Sequence, residues 1–470
     1  MRHSDRTIVL IAAAMSSFLT PFMGSAVTIA LPQIGTTFGM NAVTLGWVNT
    51  AYLLSSVALL VPFGKLADIR GRKKIFMFGI GVYALFSFLT AFSPTSAFLI
   101  AFRAAQGAGG AMIFGTGVAM LSSVYPAGER GRALGINVAA VYLGLSLGPF
   151  IGGLMVQHVG WKCIFYVNGL LASMLLIFLA LRLKSEWTGS AAETLDKTGS
   201  ALYISTVCLL MIGFSKLPSA LGWSSLAAGT AAMGAFLVWE NQSPSPFLNL
   251  HLFRRNTVFA FSNLAALVNY CSTSAMAFLL SLYLQVVRGL EPRQAGFIMV
   301  SQPLIMTAFS PLAGRLSDRI EARVLASSGM AVNTLALILF MRLGANTPLW
   351  GVVLLLALLG FGLSFFSSPN TNAVMGSVDK PQYGTAASVL GTMRLTGQML
   401  SMGIAMLVFS VWIGDRPVTE AVRQPFLSAM RAAFGIFSLL SVVGVFASLA
   451  RGKSGIGDRR PKVSDRRPKA

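Results

Sequence analysis

Apolar runs of roughly constant length alternate along this chain with short turns that gather most of the charge. A helix crossing a bilayer needs ~20 predominantly apolar residues. By that measure the pattern predicts spans near 7–31, 43–63, 75–93, 97–124, 132–156, 161–182, 199–215, 222–240, 257–286, 295–313, 324–342, 348–375, 384–412 and 426–450. The two shortest, 199–215 and 222–240, leave twelve spans plus a re-entrant pair as the alternative. The first run is too long for a signal sequence and lacks a small-residue cleavage context, so it reads as a retained span.

The most charged of the early turns, Gly64-Lys-Leu-Ala-Asp68-Ile-Arg-Gly71-Arg72-Lys-Lys74, is echoed 250 residues later by Gly314-Arg-Leu-Ser-Asp318-Arg319. Six predicted spans precede about residue 183 and six follow 257, so the chain reads as a duplicated six-helix unit with two helices between the copies. The expected organisation is a first bundle over 1–183, a connector over 184–256 carrying two additional spans and an interfacial segment, a second bundle over 257–450, and a basic tail over 451–470. The fold class is all-α and polytopic.

Composition agrees with this pattern. Of 470 residues, 55% are hydrophobic and only 11% charged, and the mean hydropathy is +0.71, well outside the soluble range. The net charge of +21 would suit a nucleic-acid binder only if it were collected on one soluble face. Here it lies in alternate turns, where 26 of the 36 Lys and Arg fall on one side and 8 on the other. Cytoplasmic loops retain positive charge, so both termini are expected in the cytoplasm, in a plasma or inner membrane. Cys163, Cys208 and Cys271 have neither disulfide nor metal-ligand spacing and read as packing residues.

Several motifs carry chemistry. In the first turn, Gly64 and Gly71 permit a tight bend, the basic residues including Arg72 are topogenic, and Asp68 is left as a carboxylate able to face the positive end of a neighbouring helix. In the fifth span, Gly144-Leu-Ser-Leu-Gly148-Pro149-Phe-Ile-Gly152-Gly153 combines close-approach glycines with a kink-permitting proline. In the fourth, Arg103-Ala-Ala-Gln106-Gly107-Ala-Gly109 places a cation within the bilayer, at a cost of ~2.5–3.5 kcal/mol unless it finds partners or water. Arg394 is the second intramembrane cation. These stretches resemble the motifs of the major facilitator superfamily, and more narrowly its fourteen-helix drug:proton antiporter branch.

The resemblance implies two six-helix bundles rocking about a midplane site, with Gly64, Asp68, Gly71, Arg72 and Asp318 as gate elements. It implies that Asp68 latches onto the helix opening near Gly384, and that Gly144, Gly148, Pro149, Gly152 and Gly153 form a hinge against the second half. It implies export of small lipophilic or cationic compounds in exchange for protons. The first span departs from the branch, with Met23 and Thr28 where an acidic residue and Asn are usual. All fifteen acidic residues and all three histidines are peripheral, which motivates the alternative of an uncoupled or differently coupled carrier for a metabolite, lipid or siderophore. Residues expected to line the cavity are Asn49, Tyr52, Tyr142, Asn263, Asn269, Tyr270, Gln302, Phe365, Phe366, Asn370 and Gln398. No nucleophile–base pair, phosphate loop, metal cluster or selectivity filter is visible, so neither enzyme nor channel is expected, and no cofactor or metal. Beyond substrate and lipid no partner is expected, and the chain reads as a monomer.

Overall fold

The computed structural model describes residues 3–188, 195–243, 250–317, 319–379 and 382–452. Asp318, parts of the connector and the tail beyond 452 lie outside these residues. Among the described residues fourteen helices are long and apolar enough to cross a membrane: α1 Asp5–Phe38, α2 Ala42–Arg70, α3 Arg72–Ala91, α4 Ser96–Val124, α5 Glu129–His158, α6 Lys162–Arg182, α7 Lys197–Lys216, α8 Ala220–Gln242, α9 Thr257–Val287, α10 Pro292–Ser317, α11 Ala322–Phe340, α12 Leu349–Gly376, α13 Tyr383–Trp412 and α14 Glu420–Ala450. Both short runs of the connector are thus long enough to span, and the re-entrant alternative is not adopted.

Polar residues at the turns mark where the helices begin. Asn41, Thr95, Asp196, Ser219 and Asn256 each accept a hydrogen bond from a backbone N–H in the first turn of α2, α4, α7, α8 and α9, and Glu291 and Gln294 form a capping box on α10, as short polar side chains do at N-caps. Outward-facing surfaces are apolar: Leu181, Trp350 and Leu439 are 72%, 72% and 71% exposed. Such surface is stable when the solvent is hydrocarbon.

The duplication is visible in the packing. In the first bundle α1 lies on α5, α4 on both α2 and α3, and α3 on α6; in the second, α9 lies on α13, α12 on both α10 and α11, and α11 on α14. Individual backbone contacts recur at nearly the same offset. Gly107 of α4 lies directly against the Tyr52 carbonyl of α2, and Gly360 of α12 against the Gln302 carbonyl of α10. Likewise Gly109 faces the Gly79 carbonyl, and Gly362 that of Gly329, so that an added Cβ would stand 2.8 Å and 2.7 Å from those oxygens. Small residues allow such approaches, and in lipid the resulting van der Waals contact drives association. The arginine motif is not duplicated, since Leu356 and Leu359 stand where Arg103 and Gln106 do.

Between the bundles, α7 packs on both α2 and α13, and α8 packs on α7. The Tyr203 hydroxyl of α7 donates to the Val57 carbonyl at 3.2 Å, and Ser410 of α13 donates to the Leu217 carbonyl at 3.1 Å. At the other end, Asp196 accepts from the Trp239 indole at 2.8 Å and from Ser243 at 3.0 Å. Partial burial acts to raise the Asp196 pKa, but the bonds from Gly199 N–H, Trp239 and Ser243 outweigh it and hold the carboxyl below its ordinary range. Arg451, which the charge pattern assigns to the basic tail, is instead 1% exposed, with Nε donating to the Ser448 carbonyl at 2.8 Å.

The glycine motif of α5 has a different partner from the one expected. Gly144 faces the Phe18 carbonyl, Gly148 the Ser25 side chain and Phe22 carbonyl, and Gly152 the Cα and Cβ of Ala26, so all three pack on α1 within their own bundle. Gly153 and Pro149 meet the second half. A spacing of four specifies close approach, but not which helix approaches. At Gly148 even a methyl group would overlap Ser25, whereas Gly135 of the same helix has open space around it. Gly148→Val is therefore expected to lower unfolding stability by ~1–3 kcal/mol through overpacking, with Gly135→Ala nearly neutral, as read by thermal unfolding in detergent.

Candidate functional site

The charged turn between α2 and α3 is built around two contacts. Gly71 adopts φ +114°, a conformation that glycine adopts without Cβ strain. This places the Lys73 N–H within 2.8 Å of Glu186 Oε1, while Arg72 N–H donates to the Trp187 carbonyl at 2.8 Å. Glu186 thus caps α3 from the segment after α6. Asp68 accepts from Arg72 Nε and Nη2, both at 2.7 Å, and Arg72 Nη1 reaches the Ala119 carbonyl and Ser123 of α4. Asp68 remains 36% exposed. The start of α13, residues 382–385, is exposed, with open space at Gly384. In this conformation Asp68 is held within its own turn and the expected latch is not engaged. Asp318 lies outside the described residues.

The opposite face is closed. Pro32 has no N–H to offer the Thr28 carbonyl one turn earlier, and Ser281 of α9 donates to that carbonyl at 2.7 Å. Gln285, in a π-turn over Tyr283–Val287, donates to the Ile29 carbonyl at 3.0 Å. Beside it Gly296 of α10 lies against the Pro149 carbonyl, and a Cβ at Gly153 would stand 2.6 Å from the Pro292 carbonyl. Gln157 donates to Glu291 at 2.8 Å, Asn41 to Asp415 at 3.2 Å, and Asn41 forms a short bridge with Pro417. Gly46 of α2 accommodates Met406 of α13. The two bundles therefore meet along the face away from the basic turns. Sequence reasoning missed Ser281, Gln285 and Glu186; Pro32, which frees a carbonyl by its nature, is the signal that could have pointed to a donor such as the first of them.

The two intramembrane cations have different surroundings. Arg103 is 1% exposed. Its Nε donates to the Val48 carbonyl at 3.1 Å, Nη1 to Gln106, and its guanidinium lies 4.7 Å from the Tyr52 ring centroid. Gln106 in turn donates to Ser87 at 2.6 Å. Arg394 is half-buried. Its Nη2 donates to Thr371 at 2.6 Å, its guanidinium stands 5.7 Å from the Tyr270 ring, and its Nε has no partner. Tyr142 of α5 stands near this cluster, on the side of the first bundle.

This cluster sorts the residues expected in the cavity. Tyr142, Tyr270, Gln302, Gln398, Asn49 and Phe365 are half-buried. Tyr52 is sealed under Arg103. Asn269 accepts from Asn333 at 3.1 Å and Asn370 donates to the Ser262 carbonyl at 3.1 Å, while Asn263 donates to the Phe259 carbonyl at 2.9 Å. Phe366 packs against Gly329 at 1% exposure. These five are withdrawn into the bundles, because the faces they occupy meet neighbouring helices. Met23 is buried, and Thr28 accepts from Asn49 at 3.1 Å, so neutral residues fill the departure in α1.

The profile of the Major Facilitator Superfamily matches residues 13–401 and 262–469. The chain belongs to this superfamily. Among its relatives, the riboflavin transporter RibZ of Clostridioides difficile is 32% identical over 83% of this chain and 85% of its own. The multidrug resistance protein Stp of Mycobacterium tuberculosis is 31% identical over 91% and 81%. The fold resembles that of a bacterial homologue of the human lysosomal transporter Spinster, solved inward-facing and unoccupied, with a TM-score of 0.71 at 14% identity over 96% of this chain and 98% of that one. Fourteen spans agree with the drug-exporting branch, and the transporter is not read as an enzyme.

Removing Ser281 leaves the Thr28 carbonyl unpaired, at a cost of ~1–3 kcal/mol to the closed far face. Ser281→Ala is expected to lengthen the distance between spin labels on the exposed Thr37 and Thr419, measured by double electron–electron resonance in a background without native cysteines; an unchanged distribution would contradict the role assigned to this bond.

Proposed function

We propose that the transporter exports small amphipathic compounds across the plasma membrane by alternating access, working as a monomer with its basic face and both termini in the cytoplasm. The observation that carries this reading is the asymmetry of contact: the bundles join on the far face and present a half-buried arginine and tyrosines between them, while the start of α13 stands free on the basic face. That arrangement suits the substrate-accepting half of a cycle in which the halves rock about a site between them.

Closing the basic face requires Asp68 to exchange partners. Its pair with Arg72 is partly exposed and such pairs are worth ~0–1 kcal/mol, while a carboxylate at a helix N-terminus gains ~0.3–1 kcal/mol, more where partly buried. The two states of Asp68 are thus close in energy, as a reversible latch on α13 requires. Arg72 keeps its bonds to α4 when Asp68 leaves. Asp68→Asn is expected to lower efflux from cells at least tenfold with an unchanged amount of folded protein, and normal efflux from that variant would sink the latch.

The resemblance to the drug:proton antiporter branch implies proton exchange as the driver. A second reading, carriage without proton exchange, is favoured by the position of the carboxylates: among the described residues every Asp and Glu lies outside a span or near its end, whereas proton relays use carboxylates or histidines within the membrane. Proteoliposomes separate the two. A carrier coupled to protons concentrates its substrate when a pH gradient is imposed; an uncoupled one moves a neutral substrate only to equal concentrations.

A further inference from the structure

The charge balance of the cavity is uneven, and this bears on what it accepts. Arg103 is fully engaged inside the first bundle and sealed from the space between the halves. Arg394 is not sealed. Its partners are a hydroxyl and an aromatic face, Thr371 and Tyr270, and its Nε is left without an acceptor although buried. Among the described residues no carboxylate forms an ion pair with it, and none lies in the middle of any span. A guanidinium in a low-dielectric site with neutral partners only is costly unless an anion comes to it.

Of the hydroxyls nearby, that of Thr371 accepts from the guanidinium and already donates to the Ser367 carbonyl at 2.8 Å, which leaves the Tyr142 hydroxyl of the first bundle as the donor to an oxygen lone pair, and a planar guanidinium suits an oxyanion in two-pronged geometry. A cation placed here would meet a like charge and no counter-ion. Because Tyr142 belongs to one half and Arg394 to the other, a ligand bridging them would also register the approach of the bundles. We infer that Arg394 is the binding site for the oxyanion of an organic-anion substrate, held between Arg394 of α13 and Tyr142 of α5. This rests on the export reading above and narrows its substrate class.

A driver follows from the same charge. With the basic face inside, a membrane potential negative inside expels a monoanion, and 100 mV corresponds to about a 50-fold excess outside at equilibrium. Such export needs no intramembrane proton carrier.

The test uses the full-length protein with three probes on one ring system: 2-naphthoate, neutral 2-naphthamide and 2-naphthylmethylammonium, with chloride and phosphate as inorganic controls at fixed ionic strength. Binding to the detergent-purified protein is read from the shift in unfolding temperature. The naphthoate is expected to bind at least tenfold more tightly than the amide or the ammonium, Arg394→Gln to abolish that preference, and Arg394→Lys to restore part of it, which a purely structural role for the guanidinium would not predict. Should Arg394→Gln fail to fold, Tyr142→Phe is expected to weaken naphthoate binding severalfold and leave amide binding unchanged.

Equal affinity for naphthoate and amide, unchanged naphthoate affinity in Arg394→Gln or in a folded Tyr142→Phe, or no binding of naphthoate overturns the inference. Stabilisation by chloride or phosphate equal to that by naphthoate also overturns it in its organic form. A potassium–valinomycin potential across proteoliposomes supplies the second arm. Movement of the ammonium probe without the naphthoate refutes the anion site and spares the export reading. Arg394-dependent naphthoate binding with no movement of any probe supports the site and tells against export.

Discussion

Backbone polar groups cannot be left unpaired in hydrocarbon, and this constraint governs how the two bundles meet. Each helix keeps its hydrogen bonds to itself, so the closest contacts between halves come from backbone surface stripped of side chains and from a carbonyl released by proline. Both occur on the far face. Gly153 and Gly296 bring the backbones of α5 and α10 into contact at Pro292 and Pro149, and Pro32 releases the carbonyl that Ser281 captures. The exposed start of α13 lies at the other end of the bundles from this seam.

The contrast with the basic face is one of bond strength. There the charged groups are partly exposed and exchangeable: Asp68 shares one oxygen with Arg72, and Glu186 caps α3 from a flanking segment. Groups of this kind change partners at small cost in water, while backbone contacts in the bilayer are made or lost as a unit. The two ends of the molecule are thus held by different chemistry.

Much of this was legible in the chain. Fourteen apolar runs correspond to fourteen spans, and the 250-residue echo of the charged turn marks a duplication that extends to Gly79, Gly107 and Tyr52 and their counterparts Gly329, Gly360 and Gln302. What could not be read was direction. The spacing of Gly144, Gly148 and Gly152 announces close packing but not that α1 is the partner, and polar residues such as Asn269 and Asn370 look alike in sequence whether they face a cavity or another helix. Phe366 illustrates the same ambiguity for aromatics. Glu186 was one acidic residue among several in loops, and only the fold brings it to Lys73.

The position of α7 bears on how the two central helices came to be tolerated. It rests on α2 and α13 alongside the stretch from Gly46 to Val57 where those helices meet, and α8 packs chiefly on α7. Were the bundles to rock about that line, a helix seated along it would sweep little distance, adding mass and lipid-facing surface without having to break contact in each cycle. An insertion between two rigid bodies would ordinarily act as a brake, and placed here it would be a passenger.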